Sequence, residues 1–219
     1  MNKAGVIGCR PVGAYHAQGI VGSQQAQLAA ACDFDPKTLD DFIQQWPDET
    51  IAGYKNHREM LANEKLDIVT VATSDHRHAD LVVDAAEAGV KGIFCEKPLA
   101  TTLADADRMI AACTANGTLL SVDHTRRWWP LWRRSKELIA EGAIGPVQYV
   151  IATLTGPRAM LFRNGTHLLD AVCYFADAQP AWVVADLEPG YENYTEYRGD
   201  GGHDPATEPA ANAYIHFEN

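Results

Sequence analysis

The stretch that decides the fold is VIGCRPVGAYH, residues 6 to 16. An apolar run leads into Gly8, and a helix is predicted to start between Pro11 and Gly13, so the stretch is a strand, a turn and a helix. The dinucleotide fingerprint GxGxxG requires three glycines, and Gly8 and Gly13 occupy the first and third places. Arg10 stands at the second, where a Cβ hinders close approach of a phosphate to the backbone, although its guanidinium could itself reach phosphate oxygens.

The position of this stretch strengthens the pattern. It opens the chain, and the next predicted strand ends at Asp33, 20 residues after Gly13. An acidic residue at this place accepts hydrogen bonds from the adenosine ribose, which favours NAD over NADP. The alternative is that Asp33 or Asp35 caps the helix that begins at Pro36.

Short apolar runs alternate with helical patterns through the first half of the chain. Runs that are apolar on both faces indicate parallel strands covered by helices, so we predict an α/β fold with a doubly wound (Rossmann) sheet over residues 1–123. The predicted strands are 4–9, 27–34, 66–74, 90–96 and 118–124, and the predicted helices are 12–22, 36–45, 57–63, 76–88 and 102–115.

The rhythm changes near residue 124. A helix over 130–141 is followed by a predicted strand at 147–155, a helix at 164–176, and strands at 181–188 and 211–219. Strands that follow one another without crossover helices predict an incomplete α+β domain over 124–219, with an open, mostly antiparallel sheet. The segment 189–209 is too long and too polar for a simple connector, so it is a functional loop or a disordered segment.

The composition narrows the class of protein. The chain has 219 residues, a net charge of −11, and 47% hydrophobic residues. This is typical of a soluble globular protein and argues against a nucleic-acid or membrane partner, both of which need a basic face. The N-terminus lacks a signal-peptide pattern, so a cytoplasmic location is expected. Five scattered cysteines without a CxxC pair indicate buried thiols rather than disulfides or a zinc site.

The stretch FCEKPLATT, residues 94 to 102, places Glu96 and Lys97 between an apolar run and a proline. Such charges are seldom buried unless paired, which makes the step a candidate site, although a solvated loop with an ion pair is the simpler interpretation. Together with other stretches it resembles the Gfo/Idh/MocA family of nicotinamide-dependent oxidoreductases. The matching stretches cover most of residues 4 to 175 and are GVIGCRPVGAYH, CDFDP, VATSDHRHADLVVDAAEAGVKGIFCEKPLA, VDHTRRWWP, AEGAIGPV and NGTHLLD.

The resemblance implies the roles of two catalytic residues. Lys97 matches the family lysine that contacts the nicotinamide ribose and the substrate hydroxyl, and His167 matches a histidine that faces the substrate. Asp170 shares the helical face of His167 and could orient its imidazole. Arg163 is a departure, because many polyol dehydrogenases of the family carry an aspartate there; this suggests an acidic substrate or altered chemistry.

The resemblance also implies a wider set of binding residues. The expected cofactor contacts are Gly8, Arg10, Val12, Gly13, Asp33, Thr73, Ser74, His78, Glu96, Lys97 and Arg127, and the expected substrate contacts are Lys97, Arg126, Arg163, His167 and Asp170. Trp128, Trp129 and Trp132 offer faces for sugar stacking, but packing is the expected role of at least two of them. The clusters at 74–80 and 200–205 are weak metal candidates, and no metal is predicted.

The resemblance predicts hydride transfer between NAD(P) and a sugar, polyol or related compound. Two alternatives stay open: a glycosidase-type enzyme that uses transient oxidation by NAD, and a non-catalytic protein that senses the cofactor. Family members normally extend beyond the length of this chain, so a C-terminal truncation and a homo-oligomer formed through the C-terminal sheet are expected.

Overall fold

The computed structural model describes residues 1–156, 160–192 and 207–218. Contacts divide the chain into two compact units, with Met1–Asp123 in the first and the described residues from His124 onward in the second. The first unit contains a six-stranded sheet in the order β3-β2-β1-β4-β5-β6, all parallel. Its strands are β1 Asn2–Ile7, β2 Ala26–Cys32, β3 Ala52–Tyr54, β4 Ile68–Val71, β5 Gly92–Cys95 and β6 Leu119–Val122.

Five helices connect these strands, as the alternation of apolar runs predicted. They are α1 Pro11–Gly22, α2 Pro36–Ile43, α3 His57–Glu64, α4 His78–Glu87 and α5 Leu103–Asn116. Local signals in the sequence set their ends: the Asp35 carboxylate accepts the Lys37 and Thr38 N–H groups at the start of α2, and Gly117 ends α5 in the left-handed region at φ 67°. Asp35, and not Asp33, is therefore the capping residue before Pro36.

The core lies on both faces of the sheet. One buried cluster joins β4 and β5 to the helices α3, α4 and α5, with Met60, Val82 and Met109 among its members. The other places Leu28 of β2 with Ala17 of α1 and Phe42 of α2. Because helices cover both faces, every strand can be apolar on both sides, and the doubly wound Rossmann prediction is confirmed.

The strand β3 was not predicted. It has three residues, Ala52–Tyr54, of which one is glycine, and it pairs with β2 at the edge of the sheet. Three residues are too few for a periodic pattern, so only pairing with a neighbour defines this strand.

The second unit contains α6 Pro130–Ala140, α7 Gly165–Ala176, β7 Pro180–Leu187 and β8 Ala211–Phe217, and β7 and β8 pair antiparallel. The strand predicted over 147–155 is wrong, since that segment pairs with no other described strand. Alternating apolar residues favour an extended backbone, but a sheet forms only where a neighbour accepts the hydrogen bonds. Most of the predicted 189–209 loop, including the weak metal candidate at 200–205, lies outside the described residues.

Two further sequence predictions concern membranes and thiols. In the part of the chain that the structure describes, every helix is too short or too polar to cross a bilayer. All five cysteines are free thiols, and Cys9, Cys32, Cys95 and Cys113 are buried while Cys173 is half-buried. Burial raises the pKa of the Cys32 thiol to about 12, which keeps it protonated and unreactive at neutral pH.

Candidate dinucleotide and substrate site

The turn between β1 and α1 needs both of its glycines. Gly8 lies at φ +95°, and a Cβ added to it would come 2.4 Å from the carbonyl oxygen of Ala72. A Cβ on Gly13 would come 1.8 Å from the carbonyl oxygen of Gly8, so α1 packs directly on the turn. The first and third places of the fingerprint therefore carry glycine for steric reasons.

This turn presents the N-terminus of α1 to solvent. Arg10 is the N-cap, and its side chain accepts no capping hydrogen bond from the helix. The side chains of Arg10 and Val12 are exposed. Backbone N–H groups and the positive end of the helix dipole are thus available to an anion, which fits the pyrophosphate of a dinucleotide.

The turn lies where the sheet changes direction. The chain passes from β1 to β2 on one side, while β4, the other neighbour of β1, leads on to β5. Ligands of doubly wound sheets bind in the crevice beyond the carboxyl ends of such strands. The turn after β4 carries Thr73 and Ser74, and Thr73 Cγ2 lies 3.0 Å from the Cβ position of Gly8.

Asp33 follows β2 at the same edge of the sheet. It is buried, its Oδ2 accepts the Cys9 N–H at 2.9 Å, and its Oδ1 accepts the Asp35 N–H at 3.0 Å. Each carboxylate oxygen has a second lone pair, so these bonds orient the group and leave acceptor capacity for a ribose. The geometry fits the predicted NAD contact.

Glu96 and Lys97 follow β5 directly, and both are half-buried. The Glu96 N–H extends the pairing with β4 by donating to the Val71 carbonyl at 2.9 Å. The Lys97 N–H donates to Oε2 of Glu96 at 3.1 Å. The lysine therefore leaves the sheet at the edge that carries the glycine turn.

His78 supports the segment that follows β5 and the turn that follows β4, rather than facing the crevice. Its side chain is fully buried, with Nδ1 at 3.0 Å from the Pro98 carbonyl oxygen and Nε2 at 3.2 Å from that of Thr73. Both ring nitrogens lie against backbone carbonyl oxygens, which argues against the predicted contact between His78 and the cofactor. Its sequence position next to Asp75 and His76 gave no sign of this role.

A buried ionic cluster, missed by the sequence analysis, lies beside Lys97. His16 Nε2 of α1 lies 3.3 Å from Glu96 Oε1 and 3.5 Å from Asp123 Oδ2, and these three ligand-type atoms all lie within 4.8 Å of one another. Burial alone lowers the pKa of His16, but hydrogen bonds and charge from Asp123 and Glu96 outweigh it and raise the pKa to about 9. The raised pKa favours the protonated imidazole at neutral pH, which places a positive charge between the two carboxylates.

The predicted residues of the second unit group around α7. The Asp170 carboxylate is 9% exposed, and the Arg127 guanidinium holds it, with Nε at 2.8 and 3.0 Å from the two oxygens and a terminal nitrogen at 2.8 Å. His124 Nε2 lies 3.9 Å from Asp170, and the rings of His124 and His167 meet edge to face at 6.1 Å. The structure thus joins His167, Asp170 and Arg127, and adds His124, which the sequence analysis did not select.

The remaining predicted residues have other surroundings. Arg126 lies over the ring of Trp132, 5.7 Å from its centroid, and Trp132 packs on Phe175. Trp128 and Trp129 are exposed by 57% and 50%. The backbone N–H groups of Phe162 and Arg163 donate to the buried Glu208 carboxylate.

The chain has the features of a dinucleotide-binding Rossmann protein: the doubly wound fold, the glycine turn after β1, and the acidic residue at the end of β2. Residues 2–124 match the Gfo/Idh/MocA oxidoreductase family with its NAD-binding Rossmann fold, and the chain belongs to this family. NAD is accordingly its cofactor class, as predicted.

The chain is similar in sequence to several enzymes. The chain is 38% identical over 143 residues to D-apiose dehydrogenase of Paraburkholderia graminis, covering 65% of this chain and 37% of the relative. It is 32% identical over 155 residues to myo-inositol 2-dehydrogenase of Thermotoga maritima, covering 71% and 46%. It is also 35% identical over 97 residues to 2,7-anhydro-N-acetylneuraminate hydratase of Mediterraneibacter gnavus, covering 44% and 26%. The chain thus spans less than half the length of these relatives.

Solved structures share the fold. A probable dehydrogenase from Thermotoga maritima superposes with a TM-score of 0.78 at 25% identity, covering 99% of this chain and 65% of that one. Scyllo-inositol dehydrogenase from Lactobacillus casei, solved with NAD(H) and scyllo-inositol, gives 0.75 at 21% identity, covering 100% and 66%.

Proposed function

We propose that the chain is part of an NAD-dependent oxidoreductase that transfers hydride between the cofactor and a hydroxyl-bearing carbon of a sugar or polyol. The observation that carries this proposal is the position of Lys97. It follows β5 at the sheet edge where the Gly8 turn and the Thr73 turn also end, beside the expected cofactor crevice. The names of the D-apiose and inositol dehydrogenases support the class of substrate.

Oxidation of an alcohol releases a proton from oxygen as hydride leaves carbon, and bound NAD supplies the hydride acceptor. We assign to Lys97 the task of holding the alcohol oxygen and relaying its proton, since an amine can donate and accept at the same atom. Glu96 limits the movement of the lysine by accepting its backbone N–H.

We assign the second proton-handling role to His167. Asp170 lies on the same helix as His167, and the Arg127 guanidinium neutralises its buried carboxylate. The charge next to His167 is therefore balanced. His124 packs edge to face on His167 and limits its rotation. The predicted orientation of His167 by Asp170 and the substrate contacts of Arg126 and Arg163 remain part of this proposal.

The test is NADH formation from a panel containing D-apiose and inositols. Lys97→Ala should lower kcat/KM by about 10²–10⁴-fold, the usual contribution of general acid-base catalysis. Lys91→Ala is the matched control, because Lys91 precedes β5 as Lys97 follows it, and its ammonium pairs with Asp67 at 2.7 Å on the surface. Lys91→Ala should keep the wild-type rate; an active Lys97→Ala variant would remove the lysine from the mechanism.

A second candidate is a reaction without net redox change, in which transient oxidation by NAD permits elimination or glycoside cleavage. The hydratase among the relatives favours it. Product release without accumulation of NADH would identify this chemistry. Binding of NAD with no turnover of any panel member would instead favour a cofactor-sensing role.

We also propose self-association through the C-terminal sheet. All eight residues of β7 are exposed, and Trp182 and Val184, two residues apart, present an apolar surface on one face of the strand. Sedimentation analysis should give a dimer or larger species, and Val184→Lys should shift it toward monomer. A wild-type chain that sediments as a monomer at high concentration would contradict this.

A further inference from the structure

The cluster of His16, Glu96 and Asp123 connects three elements of the first unit. His16 lies on α1, three residues after Gly13, and its side chain is only 5% exposed. Glu96 follows β5 and Asp123 follows β6, with side chains 16% and 11% exposed. The imidazole ring of His16 also packs on the ring of Phe94 of β5, with centroids 5.2 Å apart. Two buried carboxylates repel each other unless a cation lies between them, and the imidazole occupies that place.

One carboxylate links this histidine to the candidate catalytic lysine. Glu96 faces His16 with Oε1 at 3.3 Å, while its Oε2 accepts the backbone N–H of Lys97 at 3.1 Å. The helix that starts at the phosphate turn is therefore joined, through two side chains, to the backbone of Lys97. His78 holds the other end of the same turn through the Pro98 carbonyl.

We propose that His16 is a positioning residue for the reaction, which fixes Glu96 and thereby the backbone of Lys97 relative to helix α1. This inference rests on the proposed function for its catalytic meaning, but not for its structural content. Among the described residues, the charged groups that the structure gives as partners of His16 are Glu96 and Asp123. They raise the pKa of His16 to about 9 against the opposing effect of burial, so deprotonation should loosen the link above that pH.

The first experiment needs no activity. The full chain, labelled with ¹⁵N, is titrated from pH 7 to 10.5 while the His16 imidazole and the residue 97 amide are followed by NMR. Lys97→Ala serves as the background, because it keeps the amide and removes the titration of the lysine itself. Both signals should share one midpoint near 9. In Glu96→Gln the amide should lose that midpoint; an amide that titrates independently of His16 would overturn the proposal.

The second experiment separates positioning from charge balance. His16→Gln leaves two unbalanced carboxylates, whereas His16→Gln combined with Asp123→Asn restores the single net negative charge of the wild-type cluster. Both variants should show kcat reduced about tenfold or more with KM for NAD nearly unchanged, and only the double variant should recover the unfolding temperature. Recovery of kcat together with stability would show that His16 merely balances charge and would overturn the proposal.

His57→Gln is the matched control, since His57 also pairs with a carboxylate, that of Asp84 at 2.6 Å. This variant should leave both the residue 97 amide and kcat unchanged. If the wild-type chain forms no NADH with any substrate, the proposed function fails while the NMR titration still decides whether His16 positions Lys97.

Discussion

Gly13→Ala tests the contact on which the cofactor site depends. A Cβ at this position would lie 1.8 Å from the Gly8 carbonyl oxygen, whereas real Cβ atoms stay beyond 3.0 Å, so α1 and the turn must separate by at least 1.2 Å. Overpacking of this kind costs about 1–3 kcal/mol. Alanine returns about 1 kcal/mol through its higher helix propensity, so we expect a net loss of up to about 2 kcal/mol.

Gly19→Ala is the matched control in the same helix. A Cβ on Gly19 meets no described atom within 4 Å, so this variant should gain about 1 kcal/mol from helix propensity alone. Because both variants gain the same helix propensity, their stabilities should differ by the overpacking cost of about 1–3 kcal/mol, which corresponds to roughly 2–12 °C in unfolding temperature for a chain of this size.

Thermal unfolding and calorimetric titration with NAD check both consequences. Displacement of α1 moves its N-terminus away from the expected pyrophosphate, so Gly13→Ala should bind NAD at least about tenfold more weakly, or about 1.4 kcal/mol. Gly19→Ala should bind as wild type does. If Gly13→Ala were as stable as Gly19→Ala and bound NAD equally well, the close packing of helix and turn would not be needed for the site.

Three further predictions concern the charged groups. Arg127→Ala leaves the Asp170 carboxylate buried without its guanidinium, and we expect the free energy of unfolding in urea to fall by about 2 kcal/mol. This is less than the loss for a fully buried pair because the Arg127 side chain is 42% exposed. Adding Asp170→Asn should restore the stability. Asp33→Asn removes an anionic acceptor at the end of β2, so it should weaken the binding of NAD and reduce the preference for NAD over NADP. Calorimetric titration with each dinucleotide measures both affinities. An unchanged ratio of the two affinities would show that another residue sets the selectivity. Because the pKa of His16 is raised from 6.5 to about 9, its contribution to stability, up to about 3 kcal/mol, is complete below pH 6.5 and is lost as the pH rises through 9. His16→Gln should lack that part of the pH dependence in thermal unfolding, and identical curves for both chains would contradict the assignment.

The N-terminal fold could be predicted in outline because its signals are local. Apolar runs, Pro36 at the start of α2 and Gly117 at the end of α5 depend only on neighbouring residues. The prediction missed β3 and placed a false strand at 147–155 for one reason: in both cases the neighbour, and not the pattern, decides whether a strand exists.

The sequence alone indicated four residues of the candidate site, because each belongs to a strand, turn or helix of a few residues. They are the glycines at positions 8 and 13, the acid at the end of β2, and the lysine after β5. The amino-acid order could not show that His16 meets Glu96, 80 residues away, or that both nitrogens of His78 lie close to backbone carbonyl oxygens. Nor could it show that Arg127 holds Asp170. These are contacts between side chains on different elements, and charge pairing under burial exists only after the chain has folded and excluded water from between them.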